Sequence, residues 1–233
     1  MKAFVSCNRD HYTQKGARHN MAIVVDGIIG AGKTTVAHYL SQLLNIPIYE
    51  EMMDDGEQTL VQRMLDRFYG DPNRWSAITQ VMFLNNRFKD IRHAESLNKP
   101  SIFDRTIYGD EIFARNLLVR GQMEEDEFLV YQSILQGMLT QIQPPELLIY
   151  IDVTVDTAME RIRIRDRSTE ADMIPQDYMD DLRKNYELWF EEYDLSPKIR
   201  LDLNSHGLDE NLNLTEEMKQ HILSAIRPYL LGS

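Results

Sequence analysis

The feature that most limits what this chain can become is the stretch DGIIGAGKTT, Asp26 to Thr35. It lies between MAIVV, a short β-branched run that predicts a buried strand, and TTVAHYLSQLLN, whose apolar residues Val36, Leu40, Leu43 and Leu44 recur at helical spacing. Gly27, Ile28, Ile29, Gly30, Ala31, Gly32, Lys33 and Thr34 spell G-x-x-x-x-G-K-T, with Thr35 following. Glycines let consecutive backbone N–H groups turn toward an anion, and the helix that follows adds the positive end of its dipole. Lys33 then supplies a point charge for β and γ phosphates, and Thr34 a hydroxyl for Mg²⁺. A glycine-rich turn without a ligand is the plain alternative, but the strand before and the helix after make a P-loop the better reading. ATP and Mg²⁺ are the expected cofactors.

The rest of the chain repeats the strand and helix alternation. IPIY, SIFD, LLIYIDV and KIRLDL read as further strands. Helical patterns cover 57–98, broken near GDPNRW, and 107–143, split at Gly121. Others cover TAMERIRIRDR, 175–192 and about 213–229. Strands that are apolar on both faces and alternate with helices predict an α/β fold, a parallel sheet of about five strands with helices on both faces. The polar, patternless residues 1–20 are expected to form a disordered leader, and 21–233 a single domain.

Composition narrows the partners. The net charge is −12, so the surface repels nucleic-acid polymers and anionic membranes. No apolar run approaches the roughly 20 residues of a membrane span. The leader lacks the apolar core of a signal peptide, and one cysteine, Cys7, excludes an intrachain disulfide. A cytoplasmic enzyme acting on small molecules fits these features.

Three stretches bear on the phosphoryl acceptor. YEEMMDD follows the second strand and places carboxylates at the carboxyl edge of the sheet, where open α/β folds bind ligands. SIFDRT ends the third strand in Asp104 and Arg105, an acid and a base on the same rim. RIRIRDR packs Arg161, Arg163, Arg165 and Arg167 into seven residues of an acidic chain, with Arg161 and Arg165 on one helical face. Taken singly, such features are more often solvated loops or salt-bridged surface. Beside a P-loop, the arginines read as a lid for a triphosphate.

In this combination the sequence resembles the deoxynucleoside kinases, the family of deoxycytidine, deoxyguanosine and bacterial deoxyadenosine kinases, over most of residues 21–200. The P-loop is followed by the family's glutamate at Glu51 in EMMDD, with Glu50 as the rival assignment. Then come Tyr69, Gln80 eleven residues on and Arg87 seven further. The family's [DE]-R-S is here DRT, Asp104 to Thr106, and Asp110 lies five residues after the arginine. The lid pattern R-x-x-x-R-x-R falls on Arg161, Arg165 and Arg167, with Glu170 three residues on. EMM replaces the family's frequent E-P-V.

The resemblance implies a P-loop kinase fold with an Arg-rich lid, and transfer of the γ-phosphoryl of ATP to the 5′-hydroxyl of a deoxynucleoside. Glu51 would accept the hydroxyl proton, Arg105 would steady the transferring group, and Asp104 with Thr34 would hold Mg²⁺. Tyr69 and Glu170 would bind the 3′-hydroxyl, Gln80 the base, and Arg87 with Asp110 would discriminate among bases. A homodimer is implied too. Because Asp110 favours an exocyclic amine, deoxyadenosine is expected to lead, with deoxycytidine or deoxyguanosine next and thymidine poor. A thymidylate-type monophosphate kinase is disfavoured by the acidic EEMMDDGEQ. A non-catalytic scaffold is disfavoured by the presence of Lys33 and the arginines.

Overall fold

A computed structural model describes residues 22–50, 60–165, 174–204 and 207–230. Five parallel strands form one sheet: β1 (Ala22–Asp26), β2 (Ile48–Tyr49), β3 (Ser101–Asp104), β4 (Leu147–Asp152) and β5 (Lys198–Asp202), in the spatial order β2-β3-β1-β4-β5. The helices are α1 (Lys33–Leu44), α2 (Leu60–Gly70), α3 (Pro72–Leu97), α4 (Asp110–Val119), α5 (Glu125–Leu139), α6 (Val155–Ile164), α7 (Gln176–Glu192) and α8 (Glu216–Leu230). None of these helices is long and apolar enough to cross a membrane.

β1 is the hinge of the design. Its Val25 pairs with Asp104 of β3 on one side and Ile149 of β4 on the other. Ile23, Val24 and Val25 are buried, as are Leu147 to Ile151 of β4, because helices cover both faces of the sheet. The chain leaves β1 toward β2 and β3 and later adds β4 and β5 on the far side. The carboxyl ends of β1, β3 and β4 therefore open onto the crevice where such sheets bind ligands.

Local chemistry sets the helix limits. Asp71 caps α3, accepting from the Arg74 N–H, and Pro72 occupies the first turn. Asn45 and Asn98, both in the left-handed region, end α1 and α3. The sequence break near GDPNRW is thus the α2/α3 junction, and Gly121, at φ 68°, lies in the link between α4 and α5. The expected leader, 1–20, lies outside the described residues.

Candidate active site

The loop from Gly27 to Gly32 joins β1 to α1 and folds back on the protein. Gly30 has φ 75°, and a Cβ there would run into the Ala158 carbonyl and the Ile162 side chain of α6. Gly32, at φ 98°, is the N-cap of α1. Lys33 is 6% exposed, and its ammonium donates to the Ile28 carbonyl at 2.8 Å, which curls it over the loop. Thr34 Oγ1 donates to Asp104 Oδ2 at 2.5 Å, and Asp104 Oδ1 is buried with no hydrogen-bond partner among the described residues. Two hard oxygen ligands from different elements, one with a spare buried lone pair, would suit Mg²⁺.

Arg105 follows β3 with φ 72°, a left-handed conformation rare for a residue with a side chain. Its guanidinium donates to the Gly27 carbonyl at 3.0 Å and to the Tyr186 hydroxyl at 2.8 Å, and stacks over Phe113. Tyr186 donates to Asp26 Oδ1 at 2.8 Å. Burial pushes the Asp26 carboxyl up from the usual value, while Arg105, Lys33, Tyr186 and the Gly27 N–H pull it back. Burial, with Asp26 beside it, also holds the Tyr186 phenol well above its usual range.

Beside this rim is a pocket walled by Tyr49 and Phe103, which stack on each other, and by Phe83. Glu50, Asp90 and Asp104 bring carboxylates to it, and Arg87 and Arg105 bring cations. Arg87 Nη1 lies 2.7 Å from Asp110 Oδ1 in a pair that is 13% and 5% exposed. Burial raises the Asp90 carboxyl, with Arg87 as the main opposing charge. Glu50 is half exposed and 3.3 Å from His38 Nε2.

A phosphate loop, a threonine and aspartate pair, a buried arginine and a mixed-charge pocket thus meet at one edge. Comparison with known proteins agrees with this geometry: the family pattern described as "Deoxynucleoside kinase" matches residues 23–229. The chain belongs to the deoxynucleoside kinase family. It is an enzyme, a phosphotransferase that uses a nucleotide phosphate donor. This kinase is 33% identical over 88% of its length to the deoxyguanosine kinase of Lactobacillus johnsonii, covering 90% of that protein. It is 32% identical over 88% of its length to the deoxyadenosine kinase of Lactobacillus acidophilus, covering 96% of that one. A solved structure of deoxyadenosine kinase from M. mycoides, with products dCMP and a flexible dCDP bound, matches it with a TM-score of 0.75 at 26% identity. That match covers 89% of this chain and 100% of the other.

The structure of the kinase brings together Lys33, Thr34, Asp104 and Arg105 at the sheet edge, and Arg87 with Asp110 beside them. Gln80 is buried on α3, two turns from Arg87 on the same face. Tyr69 is half-buried on α2 with its ring 5.3 Å from Phe68, and does not line the pocket. Glu51, Arg167 and Glu170 lie outside the described residues.

The arginines of RIRIRDR separate. Arg161 points inward, 6% exposed, and donates to the carbonyls of Ala31 and Asn204 at 3.0 and 3.3 Å and to that of Leu203. It braces the P-loop against the end of β5, a second task that the lid pattern does not anticipate. Burial and then Arg165 lower its pKa. Arg163 is exposed on α6 and Arg165 is half-buried at its C-cap.

Sequence reasoning passed over Asp26, Tyr186 and Asp90. For Asp26 a signal existed, since an acid ending an apolar strand directly before the first P-loop glycine is costly to bury without a partner. Tyr186 offered none, because a tyrosine on the apolar face of a helix reads as core.

Proposed function

We propose that this kinase transfers the γ-phosphoryl of ATP to the 5′-hydroxyl of a deoxynucleoside, with deoxyadenosine the preferred acceptor. The observation that carries the reading is the convergence of Lys33, the Thr34 and Asp104 pair and Arg105 on one rim, next to a pocket that contains Arg87. Phosphoryl transfer needs mainly positioning and charge stabilisation, and this constellation supplies both.

The P-loop amides and Lys33 hold the donor phosphates. Thr34 and Asp104 are the residues that would hold Mg²⁺, which when bound supplies charge neutralisation between the phosphates. Glu51 takes the proton of the 5′-hydroxyl. Glu50, already paired with His38, is the rival for that role. Arg105 steadies the acceptor oxygen and the transferring group. Arg165 and Arg167 close over the phosphates and exclude water, which would otherwise receive the phosphoryl group. Tyr69 and Glu170 hold the 3′-hydroxyl, and Gln80 faces the base.

Base choice rests on Arg87 and Asp110. Arg87 is donor-only and asks for a ring or carbonyl acceptor. Asp110, ion-paired with Arg87, accepts and so favours an exocyclic amine. Adenine and cytosine offer an amine, whereas thymine offers a carbonyl and adds a methyl group. The relatives include kinases for deoxyguanosine and for deoxyadenosine at similar identity, which is compatible with a purine preference. The test is kcat/KM for the four deoxynucleosides at fixed ATP and Mg²⁺. Deoxyadenosine is expected first, deoxycytidine or deoxyguanosine next and thymidine last, and a preference for thymidine overturns the assignment. A homodimer belongs to the same proposal. Exposed Ile78, Leu129 and Val130 on the contacting helices α3 and α5 offer it apolar surface, and a monomeric sedimentation coefficient at micromolar concentration contradicts it.

A further inference from the structure

Three buried side chains beneath the P-loop form a directed chain, of which the transfer chemistry described above uses only Arg105. Arg105, Tyr186 and Asp26 are 6%, 0% and 1% exposed. The Tyr186 hydroxyl has one hydrogen, and it points to Asp26 Oδ1 at 2.8 Å. Its lone pairs therefore face Arg105, whose Nη1 donates to it at 2.8 Å. The direction of the chain, guanidinium to phenol to carboxylate, is fixed by this count of donors and acceptors. Asp26 Oδ1 is held in turn by the Gly27 N–H at 2.8 Å. The other oxygen of Asp26 packs against Gly109, where a Cβ would sit 2.6 Å from it.

The ring of Tyr186 has little freedom. It stacks on Tyr150 at 6.0 Å between centroids and meets Phe113 and Trp189 edge-on at 6.1 and 5.9 Å. Arg105 needs such support because its backbone is in the left-handed region, a strained state that persists only where the surroundings over-determine it. Its N–H donates to Val25 and its guanidinium to Gly27 and Tyr186. Two of these partners belong to β1 and the P-loop, and the third reaches in from α7.

We propose that Tyr186, oriented by Asp26, is a positioning residue that fixes the Arg105 guanidinium against the first glycine of the P-loop. The inference rests on the role given to Arg105 under the proposed function. Preorganised charge is worth more in a transition state than charge that must reorient, so loosening Arg105 lowers kcat more than it alters substrate binding. A phenol that served packing alone would be replaceable by phenylalanine with no kinetic cost.

The experiment is a double-mutant cycle of Tyr186→Phe and Arg105→Ala, with deoxyadenosine, ATP and Mg²⁺, beside a thermal melt of each protein. Losing one hydrogen bond to a charged group predicts a kcat loss of about ten- to a hundredfold for Tyr186→Phe. KM for deoxyadenosine stays within about threefold, since a transition-state interaction is what is removed. In the Arg105→Ala background, Tyr186→Phe adds nothing further, because its effect passes through the missing guanidinium. A kcat for Tyr186→Phe within about twofold of the parent, or losses that multiply in the double variant, overturns the inference. An Arg105→Ala variant with full activity instead overturns the role of Arg105 on which the inference stands. Should Tyr186→Phe not fold, replacement of Tyr186 by a ring-fluorinated tyrosine, whose phenol is a weaker acceptor for the guanidinium but keeps the ring's packing, takes its place. It is expected to show a smaller kcat loss that also vanishes in the Arg105→Ala background, and no loss, or a loss that persists there, overturns the inference.

Discussion

Replacing Asp110 by asparagine probes the basis of base selection. Asp110 Oδ1 is 2.7 Å from Arg87 Nη1, and the two side chains are 5% and 13% exposed. Breaking so buried a pair costs about 3–5 kcal/mol of stability, and asparagine, which keeps one oxygen for Arg87, belongs at about 3. In a chain of this length each 1 kcal/mol moves Tm by about 2–4 °C, so Tm falls by about 6–12 °C. Specificity changes as well. A carboxylate accepts only, whereas the asparagine amide can turn its NH₂ toward a thymine carbonyl. The mismatch proposed to penalise thymidine in the parent, worth about 1–3 kcal/mol, is then removed. The ratio of kcat/KM for deoxyadenosine to that for thymidine therefore drops by about tenfold to a hundredfold. Steady-state kinetics with both nucleosides, read beside a melting curve, measures the two effects together. A ratio that stays unchanged while Tm falls shows that the pair is structural and that base choice lies elsewhere.

Lys33→Ala is expected to nearly abolish turnover, and substantial remaining kinase activity with ATP refutes the P-loop assignment. Loss of a positioned base costs about 10²–10⁴ in rate, so Glu51→Gln should fall by that factor and Glu50→Gln by far less, with the reverse order moving the base to Glu50. Among the arginines, alanine at 161, 165 or 167 should impair transfer and alanine at 163 should not. Arg161→Ala should also lower Tm, since the carbonyls of Ala31, Leu203 and Asn204 lose their shared donor, and a kinetic and thermal comparison of the four variants decides this.

Much of the architecture was legible because it is encoded locally. MAIVVDGIIGAGKTT specifies strand, anion loop and helix in consecutive residues, and the apolar run LLIYID had to be a strand buried on both faces. The order β2-β3-β1-β4-β5 was not legible, since pairing Val25 with Asp104 and Ile149 joins residues far apart in sequence. At the site, Lys33 and Thr34 followed from the loop motif and Arg105 from its strand end. Arg87 with Asp110 came from the family resemblance, because α3 and α4 meet only in three dimensions. Arg161 shows the limit of pattern reading. Its helical register placed it on the face shared with Arg165, but only the fold brings the Ala31 and Leu203 carbonyls to its guanidinium. Tyr186 was hidden for the same reason, its two polar partners being contributed by β1 and by the residue after β3.

The central claim is that the γ-phosphoryl of ATP goes to the 5′-hydroxyl of a deoxynucleoside at this rim. Product analysis by ³¹P NMR, with ATP, Mg²⁺ and in turn deoxyadenosine, deoxyadenosine monophosphate or no acceptor, tests it most directly. The account predicts a 5′-monophosphate from deoxyadenosine, formed in step with ADP, and negligible turnover with the monophosphate or with water. Efficient conversion of the monophosphate to a diphosphate, with deoxyadenosine left unchanged, would contradict it.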